Sequence, residues 1–497
     1  MAARLPIIYV RGFAGSTSGV NDAVDDAFYG FNQGATHIRV GSGGEPRFYQ
    51  FEGPLLRLLL ERGYQLSVQG GQHALLEAAA PDSLDPHTVW VYRFYDPAAS
   101  TFGVAPKEYR IDNAAEQLAT FVNLVLQKTR DADQVYLVAH SMGGLICRSL
   151  IQRHLTEPKT KVAKIFTYGT PHGGIDVELG GPIGEWVMET FGPAGSDIFR
   201  PNVMYDYLKP KTAKGGKPPK DWEPRSLGPT DFPLERIFCL VGTNSGDYDV
   251  AAGWSTRAIG VKSDGLVQIR NAYVKGATRA YVHRAHSGRY GLVNSEEGWQ
   301  NLVRFLFGDV KVETGLWGLR LNTKDHQTWQ ADVKLSIRGI PVVMHEQTAE
   351  HHCPVQLVEE AKHHDTADSP IPLVTTFLLG NLAKGRLARY ALSLRVTSVI
   401  EKEGFLWFRD HLEQIADWDD TLIIDVEMSE DHRVQQAWWG WNSELQGKIA
   451  AVDKMPNLLE DQATDASGSL WTIPITAPGR AVLGPDAVVC LRISPWT

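Results

Sequence analysis

The segment "DQVYLVAHSMGGLICRSL", residues 133–150, places a single serine between an apolar strand-like run and an apolar helix-like run. The run at residues 135–138 is typical of a buried β-strand, and a helical pattern follows the pair of glycines behind Ser141. A strand-to-helix corner lifts a serine side chain out of a sheet, and small neighbours relieve the strain on its backbone. The next amide lies at a helix N-terminus, where it can donate to a developing negative charge. The pattern therefore predicts that Ser141 is a nucleophile.

The composition is that of a globular protein with more than one domain. The 497 residues are 43% apolar and 22% charged, with a net charge of −9 and no basic block, which argues against a nucleic-acid partner. The four cysteines are far apart and none lies in a CxxC pair, which favours a reducing compartment. The apolar run at residues 5–10 is too short for a signal-peptide core or a transmembrane segment, so we expect a cytoplasmic protein without a transmembrane segment.

Two different hydrophobic patterns divide the chain near residue 310. Residues 1–310 alternate short apolar strands with amphipathic helices, which predicts an α/β domain with a mostly parallel sheet. One of its predicted helices spans 113–128, and its predicted strands span 5–10, 88–95, 135–139, 164–168, 236–242 and 280–283. In "WQADVKLSIRG", apolar residues alternate with polar ones, and similar runs recur downstream. Residues 311–497 are therefore predicted to form a β-sandwich-like domain.

A long insertion interrupts the strand–helix rhythm at about residues 173–233. It contains "KPKTAKGGKPPKDWEP", residues 209–224, whose glycines and prolines exclude regular structure. Long insertions in compact domains are usually functional, and this one is rich in aromatic residues. We expect it to form a lid, with Trp186 and Phe191 contacting the substrate. An inert surface loop is the alternative.

The corner itself, Ala139-His140-Ser141-Met142-Gly143, resembles the nucleophile elbow of the α/β-hydrolases, and bacterial lipases in particular. Alanine replaces the first glycine of the usual motif. The resemblance implies an α/β-hydrolase fold with Ser141 as the nucleophile and His140 among the residues that contact substrate.

A second motif follows the first predicted strand, where the chain reads Arg-Gly-Phe-Ala-Gly from Arg11. It resembles the His-Gly-apolar turn that supplies an oxyanion-hole donor in lipases, although Arg11 stands where histidine is usual. The resemblance implies that the backbone N–H groups of Phe13 and Met142 form the oxyanion hole. Whether Arg11 forms a salt bridge or touches substrate is open at this stage.

The acid and the base are expected to follow the serine in the order Ser, Asp, His. The run Lys-Ser-Asp-Gly-Leu-Val contains Asp264 and resembles the acid loop of Pseudomonas- and Burkholderia-type lipases. His286 begins a loop after a strand-like run, so it is the predicted base, with His283 inside that run as the alternative. Asp247 and Asp249 are the alternatives for the acid.

The run Tyr-Gly-Thr-Pro-His-Gly-Gly, which ends at Gly174, is similar to lipase segments that line the pocket next to the lid. The resemblance thus covers about the first 310 residues and implies carboxylic ester hydrolysis of lipase or esterase type. Such a mechanism requires no cofactor and no metal, and its substrate is a small-molecule or lipid ester. Amide or thioester cleavage by the same residues is one alternative, and a non-catalytic binding protein on this scaffold is another. The oligomeric state is not determined by the sequence.

Two further clusters are interpreted as structural. The histidines between residues 345 and 364 lack the spacing of a metal-binding helix, so a polar loop is favoured over a metal site. The tryptophans Trp438, Trp439 and Trp441 are typical of a β-sheet core rather than of a binding platform. The segment after His286 lacks the aspartate that holds calcium in some related lipases, which argues against a calcium site.

Overall fold

The computed structural model describes residues 5–12, 38–40, 46–48, 53–66, 72–92, 110–175, 196–213, 216–246, 262–287, 291–322, 327–366, 368–380, 387–400, 416–429, 434–447, 452–459, 463–465 and 468–496. The chain divides into two compact units. The first unit spans residues 3–279 and 283–299, and the second contains residues 280–282 and 300–497. The predicted domain boundary at residue 310 stays a prediction. None of the described helices is both long and apolar enough to cross a membrane.

The elements up to residue 307 alternate between strand and helix. The strands are β1 (Ile7–Val10), β2 (Ile38–Val40), β3 (Pro46–Phe48), β4 (Gln65–Leu66), β5 (Thr88–Tyr92), β6 (Val135–His140), β7 (Val162–Tyr168), β8 (Ile237–Gly242) and β9 (Thr278–Val282). The α-helices are α1 (Gly53–Arg62), α2 (Gln72–Ala78), α3 (Ile111–Lys128), α4 (Met142–Ser149), α5 (Pro158–Lys161), α6 (Pro201–Leu208) and α7 (Glu296–Phe307). A π-helix covers Leu150–His154, and 3-10 turns cover Ser196–Phe199, Leu234–Arg236 and Ile269–Asn271.

Seven of the described strands form one sheet in the order β4-β5-β1-β6-β7-β8-β9. The pairs β4–β5, β5–β1, β1–β6, β6–β7 and β7–β8 are parallel, which confirms the predicted α/β architecture. Strands β1, β7 and β8 are buried along their whole length, as expected for a parallel sheet covered on both faces. Helix α4 packs on β1, β6 and β7. The apolar runs that predicted the strands are thus the centre of this core.

The strand order places a topological switch point between β1 and β6. After β1 the chain moves outward to β4 and β5, whereas after β6 it moves the other way to β7 and β8. Loops that follow two such neighbouring strands diverge, and the crevice between them is where open α/β sheets bind ligands. The turn that begins at Arg11 and the corner at Ser141 lie at this point.

The second unit is mainly β-structure after residue 310. Its strands are β10 (Val310–Trp317), β11 (Gln327–Ile337), β12 (Val343–Gln347), β13 (Val355–Gln356), β14 (Ile371–Leu378), β15 (Leu387–Ile400), β16 (Trp418–Met428), β17 (Val434–Trp441), β18 (Asn457–Leu458), β19 (Ala463–Asp465), β20 (Gly468–Pro474) and β21 (Val488–Pro495). Short helices α8 (Leu357–Ala361) and α9 (Ala477–Leu483) and a 3-10 turn at Asn442–Glu444 complete the described elements.

These strands form two antiparallel sheets around one hydrophobic core. The orders are β14-β10-β21-β20-β19 and β12-β11-β15-β16-β17-β18, with β13 also paired to β11. On β11, the alternating residues Ala331, Val333 and Leu335 are buried, and they share a core with Val312 and Leu491 from the other sheet. The predicted alternation and the sandwich-like architecture are therefore confirmed.

Candidate active site

Ser141 occupies a strained corner between β6 and α4. Its backbone angles are φ 51° and ψ −127°, and the residue is 8% exposed. A positive φ is costly for a residue with a Cβ and persists only where the surrounding structure holds it. The Ser141 N–H donates to the Tyr168 carbonyl at 2.9 Å, and the Thr170 hydroxyl donates to the Ser141 carbonyl at 2.8 Å. These contacts to the end of β7 hold the corner on both sides.

The glycine at position 143 is required by the close approach of α4 to β1. A Cβ at Gly143 would lie 2.3 Å from the Val10 carbonyl oxygen and 2.7 Å from that of Arg11. No side chain fits at those distances, so the second glycine of the motif allows the N-terminus of α4 to approach the turn after β1. This approach places the first-turn amides of α4 beside that turn.

His286 lies between Ser141 and Asp264. Its Nε2 is 3.0 Å from the Ser141 Oγ, and its Nδ1 is 2.9 Å from the Asp264 Oδ2. Both partners of His286 are buried, and His286 itself is 2% exposed. The structure thus brings together the predicted nucleophile, base and acid, although Ser141 and Asp264 are far apart in sequence.

Asp264 is oriented by its own loop. Its Oδ1 accepts hydrogen bonds from the backbone N–H of Leu266 at 3.0 Å and of Val267 at 2.7 Å. Gly265 has a φ of +98°, which a residue with a side chain rarely adopts, and this allows the tight turn. Because Oδ1 is occupied by backbone donors, Oδ2 is the oxygen left to accept from His286. The Asp-Gly-Leu-Val pattern therefore has a direct geometric reason.

Gly169 is a site residue whose role was not recognised in the sequence. Its φ is +51°, and a Cβ there would lie 3.0 Å from the His286 Nδ1 and 3.1 Å from the Asp264 Oδ2. Glycine at this position leaves room for the hydrogen bond between His286 and Asp264. The Tyr-Gly-Thr-Pro-His-Gly-Gly run signalled the importance of this segment but not its contact with the acid–base pair.

His140 contacts the loop that carries His286. Its Nε2 is 3.2 Å from the His286 carbonyl oxygen, and the two ring centroids are 5.2 Å apart. Burial, together with the positive potential of His286 and Arg11, lowers the pKa of His140 to about 3. The structure therefore has a neutral imidazole at the position that the sequence assigned to substrate contact.

The predicted oxyanion hole lies only in part among the described residues. A Cβ on Gly12 would lie 3.1 Å from the Ser141 Cβ, so the turn after β1 approaches the serine closely. Met142 is the first residue of α4, where backbone N–H groups have no acceptor within their own helix. Phe13, the other predicted donor, lies outside the described residues.

Arg148 is a second residue whose role became apparent only in the structure. It lies on α4, is 2% exposed, and donates to the carbonyl oxygens of His172 at 3.0 Å, Pro224 at 2.9 Å and Ser226 at 2.9 Å. Burial lowers its pKa to about 10. Three carbonyl partners thus hold a buried cation, and they connect the nucleophile helix to both ends of the predicted insertion.

The other predicted residues do not meet Ser141 among the described atoms. His283 is exposed, and its Nδ1 lies 3.4 Å from the Thr243 hydroxyl. Asp247, Asp249, Trp186 and Phe191 lie outside the described residues. In the part of the chain that the structure describes, no group of three histidine, cysteine or acidic side chains is arranged to hold a metal ion.

Fold and site together define the class of protein. A parallel sheet with a strained serine at a strand-to-helix corner, at the switch point and next to a histidine, is the arrangement of an α/β-hydrolase. The chain has this fold, and the arrangement of this corner is lipase- or esterase-like.

Comparison with known proteins adds a family resemblance. The family model of palmitoyl protein thioesterase matches residues 99–189, a segment that includes Ser141 and is less than a fifth of the chain. The chain matches no curated protein in sequence.

Two solved structures are similar to the chain at low identity. Phospholipase PlaB from Legionella pneumophila, in complex with thio-NAD, is 11% identical with a TM-score of 0.36, covering 81% of this chain and 90% of that one. A putative cell surface hydrolase from Lactobacillus plantarum WCFS1 is 16% identical with a TM-score of 0.26, and the match covers 61% of this chain and 91% of that one. At these identities and TM-scores the fold assignment rests on the strand order itself.

Proposed function

We propose that this protein hydrolyses carboxylic acyl esters through an acyl-enzyme formed on Ser141. The observation that carries the proposal is the continuous hydrogen-bond chain from the Ser141 Oγ through His286 to Asp264. A serine hydroxyl is a weak nucleophile at neutral pH, and this chain supplies the base and the orienting carboxylate that it requires.

The hydrogen-bond directions assign the roles. Asp264 Oδ2 accepts from the Nδ1–H of His286, so Nε2 carries the lone pair that faces Ser141. His286 takes the hydroxyl proton as Oγ attacks the ester carbonyl carbon, and it returns that proton to the leaving alcohol. Water then attacks the acyl group on Ser141, His286 accepts its proton, and the acid is released as Oγ is reprotonated. No cofactor enters this scheme.

The negative charge that develops on the carbonyl oxygen is assigned to two backbone donors. Met142 N–H lies in the first turn of α4, and Phe13 N–H follows Gly12, which approaches the Ser141 side chain closely. Removing one preorganised donor of this type typically lowers kcat by about 10² to 10³.

Thioester hydrolysis is the second candidate, and the match to the palmitoyl protein thioesterase model favours it. The same three side chains act on either substrate, because the proton returned by His286 goes to a leaving alcohol or to a leaving thiol. Matched substrates with one acyl chain, a p-nitrophenyl ester and an acyl thiocholine, separate the two by their kcat/KM ratio. A corresponding p-nitroanilide measures the amidase alternative.

We further propose that the insertion at residues 173–233 shapes the acyl-binding pocket as a lid. It begins beside the site, because Thr170 bonds to Ser141 just upstream, and a Cβ on Gly174 would lie 2.5 Å from the Phe199 carbonyl oxygen. Within the insertion Tyr205 packs edge-on against Trp222 at 5.2 Å. Each buried methylene contributes about 0.8 kcal/mol, so a pocket of this kind sets a chain-length preference.

The lid is tested by substitution and by protection. Trp186→Ala and Phe191→Ala are expected to shift the preferred acyl chain in a p-nitrophenyl ester series while kcat on the acetate ester stays near that of the parent. A long-chain phosphonate bound at Ser141 is expected to slow proteolysis near residues 214–220. Unchanged preference together with unchanged cleavage would make the insertion an inert surface loop.

Covalent labelling tests the ester hydrolase proposal as a whole. A p-nitrophenyl alkylphosphonate is expected to release one equivalent of p-nitrophenol and to add its mass to the peptide that contains Ser141. Ser141→Ala is the control and should not be labelled. Absence of the adduct in the parent protein would favour a binding protein on a hydrolase scaffold.

We also propose a cytoplasmic location. All four cysteines are buried and free, which is compatible with a reducing compartment. Fractionation of the native host with an antibody to the chain tests it, and recovery with an exported fraction would contradict it.

A further inference from the structure

His140 lies between two segments that flank Ser141, and the mechanism above gives it no role. On one side, its Nε2 is 3.2 Å from the carbonyl oxygen of His286. On the other, a Cβ built on Gly12 would lie 3.0 Å from its Nδ1. The imidazole therefore lies between the loop that carries the proposed base and the turn that carries the proposed oxyanion donor.

The contact with His286 determines the tautomer of His140. Burial, together with the neighbouring His286 and Arg11, lowers the pKa of His140 to about 3, so its ring is neutral near pH 7 and carries one hydrogen. A carbonyl oxygen only accepts, so that hydrogen is on Nε2, and Nδ1, which faces the Gly12 turn, has a lone pair. The ring stays neutral when His286 becomes an imidazolium during turnover, so it adds no repulsion to that charge.

With this contact, all the polar groups of His286 are engaged. Its side chain binds Ser141 and Asp264, and its backbone N–H donates to the Asp264 carbonyl at 2.8 Å. Its carbonyl oxygen lies 3.2 Å from the His140 Nε2, which can donate a hydrogen bond to it. The two rings are also tilted by 36° at a centroid distance of 5.2 Å, so His140 flanks the imidazole as well as its backbone.

We infer that His140 is a positioning residue, which holds the His286 loop beside the Arg11–Gly12 turn and so keeps the base aligned with Ser141 and the proposed oxyanion hole. This inference rests on the proposed function. It differs from the substrate contact expected from the sequence, because a residue that only binds substrate acts on KM, whereas a residue that aligns the reacting groups acts on kcat.

Two substitutions of His140 separate the effect of its hydrogen bond to His286 from the effect of its ring packing. His140→Phe keeps a flat ring beside His286 but has no donor, whereas His140→Gln provides an amide N–H at about the position of Nε2. His140→Phe is expected to lower kcat on a p-nitrophenyl ester by about 10- to 100-fold, with KM changed by less than about threefold, because small misplacements of reacting groups have effects of this size. His140→Gln is expected to recover at least about tenfold of that loss.

His283→Gln is the matched control, since His283 is an exposed histidine three residues from His286. The inference is overturned if His140→Phe keeps kcat within about twofold of the parent, or if the whole change appears in KM. It is also overturned if His140→Gln is as impaired as His140→Phe. If His140→Phe does not fold, His140→Asn replaces it, because the shorter amide does not reach the His286 carbonyl and should be as slow.

Failure of the proposed function gives a different result. If the parent protein forms no phosphonate adduct at Ser141, the hydrolase assignment fails whatever the His140 variants do. If the parent is labelled, the rate of labelling in His140→Phe is expected to fall along with kcat, and an unchanged labelling rate would count against His140 alone.

Discussion

Asp264→Asn is the substitution for which the structure makes the sharpest prediction. Asp264 Oδ1 accepts two backbone N–H bonds, from Leu266 and Val267, so the amide oxygen of asparagine must take that position. The amide NH₂ then occupies the position of Oδ2, 2.9 Å from the His286 Nδ1. Because an NH₂ group donates, His286 is forced to present a bare Nδ1 to it and to carry its hydrogen on Nε2. That tautomer cannot accept the proton of Ser141.

The expected decrease in kcat comes from the loss of His286 as a base and not from unfolding of the protein. In a serine hydrolase with this arrangement, the Asp-to-Asn change lowers kcat by about 10⁴. This factor corresponds to about 5.5 kcal/mol of transition-state stabilisation. The two backbone bonds to the side chain are kept, so the free energy of unfolding should fall by no more than about 1.5 to 3 kcal/mol, the contribution of one hydrogen bond to a charged group.

The assay is steady-state hydrolysis of a p-nitrophenyl ester, together with urea denaturation to measure the free energy of unfolding. Asp247→Asn and Asp249→Asn are the matched controls, and both are expected to keep kcat within about threefold of the parent, since they lack this proposed role. A kcat for Asp264→Asn within about tenfold of the parent would refute the tautomer argument. An inactive Asp247→Asn beside an active Asp264→Asn would move the acid to the earlier loop.

Four further predictions concern the base, the buried cation, pH and the second unit. His286→Ala should lower kcat by about 10⁴ to 10⁶, and His283→Ala should lower it by less than about threefold. The reverse result in the same ester assay would make His283 the base. Arg148→Met leaves one buried and two partly buried carbonyl oxygens without their charged donor and should cost about 3 kcal/mol in urea denaturation, with Arg148→Lys in between; a cost below about 0.5 kcal/mol would show that the contacts contribute nothing net. Burial, with Arg148 nearby, lowers the pKa of His172 well below its usual value, so below pH ~6.5 the unfolded chain binds a proton that the folded chain does not. The free energy of unfolding should therefore fall as pH falls, and His172→Gln should make it less dependent on pH. An unchanged pH dependence in His172→Gln would contradict the role given to His172. A chain ending at Gly308, if it folds by circular dichroism, should still hydrolyse p-nitrophenyl acetate, and a folded but inactive truncate would show that the second unit completes the site.

Local patterns were sufficient to predict the fold class. The strand, serine, glycine and helix around Ser141 follow from side-chain periodicity and backbone sterics within a dozen residues, and the structure forms them at those positions. The alternation on β11 likewise predicted which side chains enter the sandwich core, because successive residues of a strand point to opposite faces. The Ser, Asp, His order along the chain reduced the candidates for the site to a few residues.

The contacts between distant residues were decided by the tertiary structure. His283 and His286 are three residues apart and chemically equivalent in sequence, but only His286 lies where the loop after β9 meets Ser141. The space at Gly169 and the contacts of Arg148 depend in the same way on which loops the sheet brings together. Periodicity and turn chemistry act over a few residues, whereas these contacts join segments from 24 to 145 residues apart, whose positions are set by strand order and register.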